Sequence, residues 1–365
     1  MKDKVKDYIL IFLFLIIIII VAFINVVEEN KTMSISERRM LKQLPDVKKF
    51  FSGNYSNDFE EYVMDQIIYR DDLRKVKEYV HFNVLNQKDN NGLFINGEGI
   101  YKNTGMLNEK EVLKAADKIK KVADKYLDDT NNIFYSIIPD KNYYLDDSNL
   151  KMDYKKLEEI LTDNLEISRY KYISLFSLLN EDEYYKTDSH WKQENLIDVA
   201  KKLGLEMNSN VLLEEYDVLE KGTFQGVYAG QLASNIGNTD VLKYVVNDTI
   251  KNASTYNYEN NKESFVYDES KWKSSNDKYD YFVSGATPII EIKNNLVEEG
   301  KELIIFRDSF GSSIAPLLLE GYSKIILVDL RYVPTDYVGD YVEFNGKDIL
   351  FIYSTLILNE SSILR

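Results

Sequence analysis

Residues 9–24 form an unbroken apolar run, and residues 8–27 extend it to 20 residues with only Asn25 interrupting. A helix of that length spans about 30 Å, the thickness of a bilayer's hydrocarbon core. The run is longer than the apolar part of a cleaved leader, and Val26-Val27-Glu28-Glu29 lacks a small-x-small cleavage pattern, so the segment is expected to remain as an anchor. Residues 28–57 read as a polar connector punctuated by Pro45 and Gly53-Asn54. From residue 58 the periodicity becomes helical, with Phe59, Tyr62, Val63, Ile67, Leu73, Val76 and Val80 predicting a helix over 58–86. Residues 92–101 carry glycines where a tight hairpin needs them.

Helical and strand-like patterns then alternate. Helices are predicted over 109–127, 153–164, 193–203 (ending at Gly204) and 312–320. Strands are predicted over 133–138, 172–176, 303–306, 325–330 and 349–353. Residues 205–300 are less regular, with Tyr-rich alternating runs that predict a β-rich insertion. Strands alternating with helices argue an α/β fold, a largely parallel central sheet flanked by helices. The domain outline is therefore a short tail (1–7), a transmembrane helix (8–27), a connector (28–57) and one globular region (58–365).

The net charge of −15 argues against a nucleic-acid partner, which needs a basic face. Lys2, Lys4 and Lys6 precede the apolar run, while Lys31, Arg38, Arg39 and Lys42 follow it, so flanking charge does not set the orientation. Cysteine is absent, which fits either an exported or a cytosolic chain. The 28 tyrosines suit carbohydrate faces, but tyrosine is also a common strand and core residue.

The chain has only two histidines, His81 and His190. His81 falls in a predicted helix beside apolar residues and reads as structural. His190 sits in Thr187-Asp188-Ser189-His190-Trp191, two residues after a carboxylate, and in an extended segment Asp188 and His190 point to one side. Ser309, in Phe306-Arg307-Asp308-Ser309-Phe310-Gly311, follows a strand and precedes a helix. A serine hydroxyl needs a base to take its proton and a third group to orient that base; Asp188, His190 and Ser309 supply these parts. Ser309's backbone N–H lies near a helix N-terminus, where an oxyanion is favoured. Asp308-Ser309 and Asp188-Ser189 also fit simple helix caps. Asp140, Asp188 and Asp308 are oxygen donors without a pattern that fixes a metal, so no metal is expected, and no phosphate-cradling glycine loop or dinucleotide fingerprint is present.

Thr187-Asp188-Ser189-His190-Trp191 resembles the T-D-x-H-W motif of the DHHW proteins and that of the alginate O-acetyltransferases of the AlgX and AlgJ type. Phe306-Arg307-Asp308-Ser309-Phe310-Gly311 resembles their D-S-F block, and Asp329-Leu330-Arg331-Tyr332 is similar to a further element after the next strand. Ser36-Glu37-Arg38-Arg39, Asp65-Gln66, Arg70-Asp71 and Pro139-Asp140-Lys141 fit as well. The resemblance implies an SGNH-hydrolase-like fold on the extracytoplasmic face of the membrane. It also implies O-acetylation of a surface or exported polysaccharide through an acetyl-serine, with Ser309 as nucleophile, His190 as base and Asp188 as its orienting partner. No cofactor is implied; a membrane partner of the MBOAT type would deliver the acetyl group. Trp191, Arg307, Arg331 and Tyr332 become substrate-binding candidates, and Gly237-Asn238 an oxyanion-hole candidate beside the Ser309 N–H. The first histidine of D-H-H-W is Ser189 here, expected to point away from the pair. A polysaccharide acetylesterase with the same residues, or a non-catalytic polysaccharide-binding or assembly scaffold, are the alternatives.

Overall fold

The computed structural model describes residues 2–51, 53–234 and 239–365. They form two compact units, one from the residues before Gly92 together with 229–234, the other from Gly92–Tyr228 together with 239–365.

In the first unit, α1 (Lys2–Val27) contains a 23-residue stretch, Val5–Val27, long and apolar enough to cross a membrane, with none of it buried against protein. A short antiparallel ribbon follows, β1 (Met33–Ser34) with β2 (Arg39–Met40). The helix predicted over 58–86 is two helices, α2 (Tyr55–Gln66) and α3 (Arg70–Tyr79), with Tyr69 left-handed at the break (φ 54°). Ion pairs fix this break: Asp65 takes both Arg39 guanidinium nitrogens (2.8 and 2.6 Å) and the Lys42 N–H (2.8 Å), while Arg70 reaches Glu37 (2.5 Å) and Asp65 (3.2 Å). His81 lies in the π-helical turn Val80–Val84 that continues α3, partly buried and with no hydrogen-bond partner at Nδ1.

The second unit starts with the expected hairpin, β3 (Leu93–Asn96) and β4 (Gly99–Lys102), turned at Gly97 (φ 57°). Then come α4 (Glu109–Tyr126), β5 (Asn132–Ile138), α5 (Tyr154–Asn164), β6 (Tyr170–Tyr172), α6 (Ile197–Glu206), β7 (Asp217–Phe224), β8 (Asp240–Val246), β9 (Ser254–Asn257), β10 (Lys262–Ser264), β11 (Ile289–Lys293), β12 (Glu302–Arg307), α7 (Gly311–Leu318), β13 (Lys324–Val328) and β14 (Asp348–Ser354). The central sheet has eight strands in the order β10-β9-β11-β13-β12-β14-β5-β6. It is parallel from β13 to β6 and antiparallel through β11, β9 and β10.

The apolar runs of the central strands follow from burial on both faces. Leu303 and Ile305 pack into one core with α6 and α7, whereas Ile304 and Phe306 pack into the opposite core with α4 and α5. The α/β class and the largely parallel sheet expected from the sequence are thus present. The region 205–300 divides: β7 and β8 form a separate bulged ribbon, while β9, β10 and β11 lengthen the main sheet. Two predicted ends move. Gly204 does not stop α6, because a Cβ there would sit 2.6 Å from that of Val211; the glycine lets residues 209–211 pack on the helix, which ends after Glu206 near left-handed Asn208. The strand predicted over 172–176 pairs only as β6.

Candidate active site

The carboxyl end of β12 sets one half of the site. Arg307 ends the strand, and Asp308-Ser309-Phe310 turn the chain into α7. Asp308 is buried and closes this turn, accepting the Phe310 N–H at one oxygen (3.0 Å) and the Ser354 N–H of β14 at the other (2.8 Å). Ser309 stays partly exposed between buried neighbours.

The other half lies in the loop before α6. His190 is buried, with Nδ1 2.6 Å from Asp188 Oδ1 and Nε2 2.7 Å from Ser309 Oγ. The structure therefore brings together the three residues singled out in the sequence. The local geometry differs from the extended segment assumed there. Residues 186–190 form a bend, in which Asp188 Oδ1 also accepts the His190 backbone N–H (3.2 Å). In that bend the Ser189 hydroxyl turns toward Asp188 Oδ1 (3.4 Å) rather than away from it.

Three sets of contacts hold the bend. Asp188 Oδ2 accepts the Val227 N–H (2.8 Å), and the Gly226 and Tyr228 N–H groups donate to Thr187 Oγ1 (2.8 Å) and Thr187 O (3.1 Å). The chain approaches so closely that a Cβ on Gly226 would lie 2.3 Å from Thr187 O and 2.5 Å from Asp188 Cβ. Buried Asp240 accepts from the Lys186 N–H (2.8 Å), the Thr187 N–H (2.7 Å) and the Thr187 hydroxyl (2.5 Å). The Lys141 ammonium, at the end of β5, donates to the carbonyls of Tyr185 (3.0 Å), Lys186 (3.2 Å) and Asp188 (2.9 Å). It also sits over the rings of Tyr101 and Tyr228. Burial depresses its pKa to about 8, even though the carboxylates of Asp188 and Asp240 oppose the shift. Burial raises the pKa of neighbouring Asp140, against hydrogen bonds from Thr355 and Tyr154.

Aromatic rings set the imidazole plane. Tyr279 stacks on His190 with centroids 3.9 Å apart and planes 10° from parallel, and Phe310 lies 4.9 Å away. The Tyr279 hydroxyl donates to Ser313 Oγ (2.6 Å), where the Trp191 indole N–H also donates (2.9 Å). Trp191 is fully buried and clamps the His190 loop to α7, so its side chain does not reach a ligand from solvent as the sequence led us to expect.

Arg307 is likewise corrected. It is fully buried, donating to Gly285 O (3.0 Å) and facing Asp329 Oδ2 (3.5 Å), and burial lowers its pKa. Arg331 is partly buried and makes two bonds to Asp329 (2.9 and 2.6 Å), while Tyr332 beyond it is exposed. Gly237 and Asn238 lie outside the described residues. Sequence reasoning did not find Tyr279, Lys141 or the Gly226-Val227 contact as parts of the site. Lys141 had a signal in the Pro-Asp-Lys that closes β5. Tyr279 had none among so many tyrosines.

A partly exposed serine thus stands at the carboxyl end of a parallel strand, beside a histidine and an aspartate from an earlier loop, in an α/β protein with a largely parallel sheet. The family model described as DHHW protein matches residues 148–328, a stretch that carries both the Asp188-His190 pair and Ser309. No curated protein matches the sequence. Among solved structures, a DHHW family protein from Eubacterium siraeum is similar, with a TM-score of 0.60 at 20% identity over 75% of this chain and 94% of the other. Bacillus cereus PatB1 carrying a sulfonyl adduct is also similar (TM-score 0.57, 17% identity, 73% of this chain and 95% of that one). A second PatB1 structure gives a TM-score of 0.54 at 16% identity, over 73% of this chain and 96% of that one.

Proposed function

We propose that this chain is a membrane-anchored, extracytoplasmic O-acetyltransferase that modifies a cell-surface or exported polysaccharide. The observation that carries the reading is the position of His190, within hydrogen-bond reach of both Asp188 and Ser309. With Nδ1–H donating to Asp188, Nε2 is left to accept the Ser309 proton. Ser309 Oγ then attacks the acetyl carbonyl of the donor. As the tetrahedral adduct collapses, the donor's C–O bond breaks, and the departing oxygen takes the proton from His190. A sugar hydroxyl next attacks acetyl-Ser309, giving its proton to Nε2, which returns it to Ser309 Oγ. The Ser309 N–H, just ahead of α7, is the first oxyanion donor.

Among the described residues one helix is long and apolar enough to cross a membrane; in this reading residues 8–27 stay as an uncleaved anchor, with residues 1–7 in the cytoplasm and the region from 58 onward outside. The connector 28–57 joins them. Acetyl-CoA is not available there, so the resemblance calls for an MBOAT-type membrane protein as donor. No cofactor enters the scheme.

The test uses the full-length chain in detergent, treated with p-nitrophenyl acetate and weighed by intact-protein mass spectrometry. One added acetyl group on the wild type, missing from both Ser309→Ala and His190→Ala, is the expected result. An adduct that persists in Ser309→Ala would overturn the assignment of the nucleophile. Supplying glycans during turnover then separates transfer to sugar from hydrolysis.

A further inference from the structure

The carboxyl edge of the central sheet carries a second feature beside Ser309. β12 and β13 are adjacent and parallel, with Phe306 opposite Val328, so the segments leaving both strands emerge on one edge. β12 leads to Ser309 and β13 to Asp329–Tyr332. The antiparallel β11 begins at this edge, with Ile289 opposite Val328, and β9 ends here just before Tyr258. Between these ends lies an open cleft of about 380 Å³, lined by Tyr258, Tyr332, Tyr337, Tyr341, Glu259 and Ile289 among others. That volume is near the small end of the roughly 300–1,000 Å³ typical of small-molecule sites.

Three of these rings are unusually open for tyrosine: Tyr332 is 47%, Tyr337 59% and Tyr341 51% exposed. Tyr258 is fixed behind them, edge-on to Tyr341 at 6.4 Å, with its hydroxyl on Glu291 (3.1 Å). Exposed aromatic faces gathered around one concavity offer electron-rich surfaces for polarised C–H groups, with phenol oxygens at the rim for hydroxyls. The face of a pyranose ring presents both. No Lys or Arg lines the cleft, and Glu259 contributes a carboxylate. The adjacent Arg331 is committed to Asp329. Glu259 and the net charge of −15 disfavour an acidic polymer here, although the Asp329-paired Arg331 lies over the Tyr332 ring (5.4 Å).

We infer that this tyrosine-lined cleft is a glycan subsite that holds an uncharged pyranose segment on the sheet edge that also carries Ser309. Its role in acceptor binding rests on the acyl-transfer reading, but the binding itself does not require the reaction. The Arg307–Asp329–Arg331 cluster joins the two places, because Arg307 immediately precedes Asp308-Ser309 and Arg331 immediately precedes Tyr332. The cleft is thus anchored to the same buried ions that underlie the serine turn.

Binding is measured by titration calorimetry on the full-length chain in detergent bearing Ser309→Ala, so that no turnover intervenes. The probes are cellohexaose and the N-acetylglucosamine hexamer as neutral glycans, and oligogalacturonate as the acidic one. Saturable binding of a neutral probe is expected, weakened roughly tenfold by Tyr337→Ala or Tyr341→Ala, as for loss of one aromatic anchor. Both residues are surface-exposed, so these variants are expected to fold. Tyr216→Ala removes an exposed tyrosine beside Glu320 and Asn294, at the opposite edge of the sheet, and leaves binding unchanged. No binding of either neutral probe overturns the assignment. So does binding that survives both cleft variants, or equal binding of oligogalacturonate. A failed acetyl-adduct test with intact glycan binding would instead overturn the acyl-transfer reading alone.

Discussion

Tyr279 lies face to face with the imidazole of His190, 3.9 Å between centroids, while its hydroxyl is held by Ser313 on the helix that follows Ser309. One ring therefore fixes the plane of the imidazole and ties that plane to the helix that follows Ser309. In the proposed acyl transfer a flat π face also favours the imidazolium formed when Ser309 gives up its proton. Tyr279→Phe keeps the stack and is expected to change acetyl-adduct formation less than about threefold. Tyr279→Leu, which lets the imidazole tilt, should slow it at least tenfold, since small misplacements of a reacting group are costly. Equal rates in the two variants would remove the stack from the mechanism.

Asp188 engages the imidazole with one oxygen and the Val227 N–H with the other. An amide in its place can keep only one of these two acceptor roles. Asp188→Asn is expected to lower the adduct-forming rate by roughly 1,000- to 10,000-fold, the loss found when a histidine base takes the wrong tautomer. Circular dichroism of the variant should match the wild type. A rate within tenfold of wild type would show that Asp188 does not orient the base.

Gly226 touches the Thr187-Asp188 backbone with no room for a side chain. Gly226→Ala is expected to destabilise the protein by about 1–3 kcal/mol, the usual cost of overpacking. It should slow acylation beyond what the stability loss explains, because the clash falls on the aspartate that aligns His190. Urea unfolding and adduct kinetics on the same preparation separate the two effects. Unchanged kinetics would mean that the loop relaxes without moving Asp188.

The buried Lys141 gives a pH signature. Its pKa is about 8 in the folded protein against 10.5 as the ordinary value. Below pH 8 both states are protonated, and the group adds no pH dependence. Between pH 8 and 10.5 the unfolded chain binds the extra proton, so this group makes stability rise with pH. That contribution is complete above 10.5 and is lost as pH falls through 8, a change of order 3 kcal/mol. Lys141→Met should remove the rise when unfolding is compared with wild type at pH 7.5 and 10. A neutral amine has two N–H donors for three carbonyls, so acylation by the wild type is expected to fall over the same range. Parallel stability curves for the two proteins would contradict the assignment.

The parts legible in the sequence share a physical reason. Strands buried on both faces need uninterrupted apolar residues, so β5, β12, β13 and β14 stood out, and scarcity made His190 conspicuous. The parts that were missed depend on contacts distant in sequence. Nothing local marks β9, β10 and β11 as strands of the main sheet, because they join it only through the pairing of β11 with the distant β13. Tyr69 carries no residue-type signal for a left-handed break, which the Asp65 and Arg70 ion pairs hold in place. Trp191 and Arg307 sit in motifs that suggest contact with substrate, yet their bonds to Ser313, Gly285 and Asp329 show that side chains beside a nucleophile can serve the turn that presents it.

The hydrogen bond between His190 and Ser309 spans 119 residues of chain. A polypeptide made from its N-terminus has Asp188 and His190 long before Ser309. Ser309 can meet them only after β12 has inserted between β13 and β14, the last two strands to be synthesised. Contacts of such separation form late and slowly. On the acyl-transfer reading proposed above, a chain that has not completed this sheet lacks the His190–Ser309 contact, and acylation of Ser309 would report finished folding.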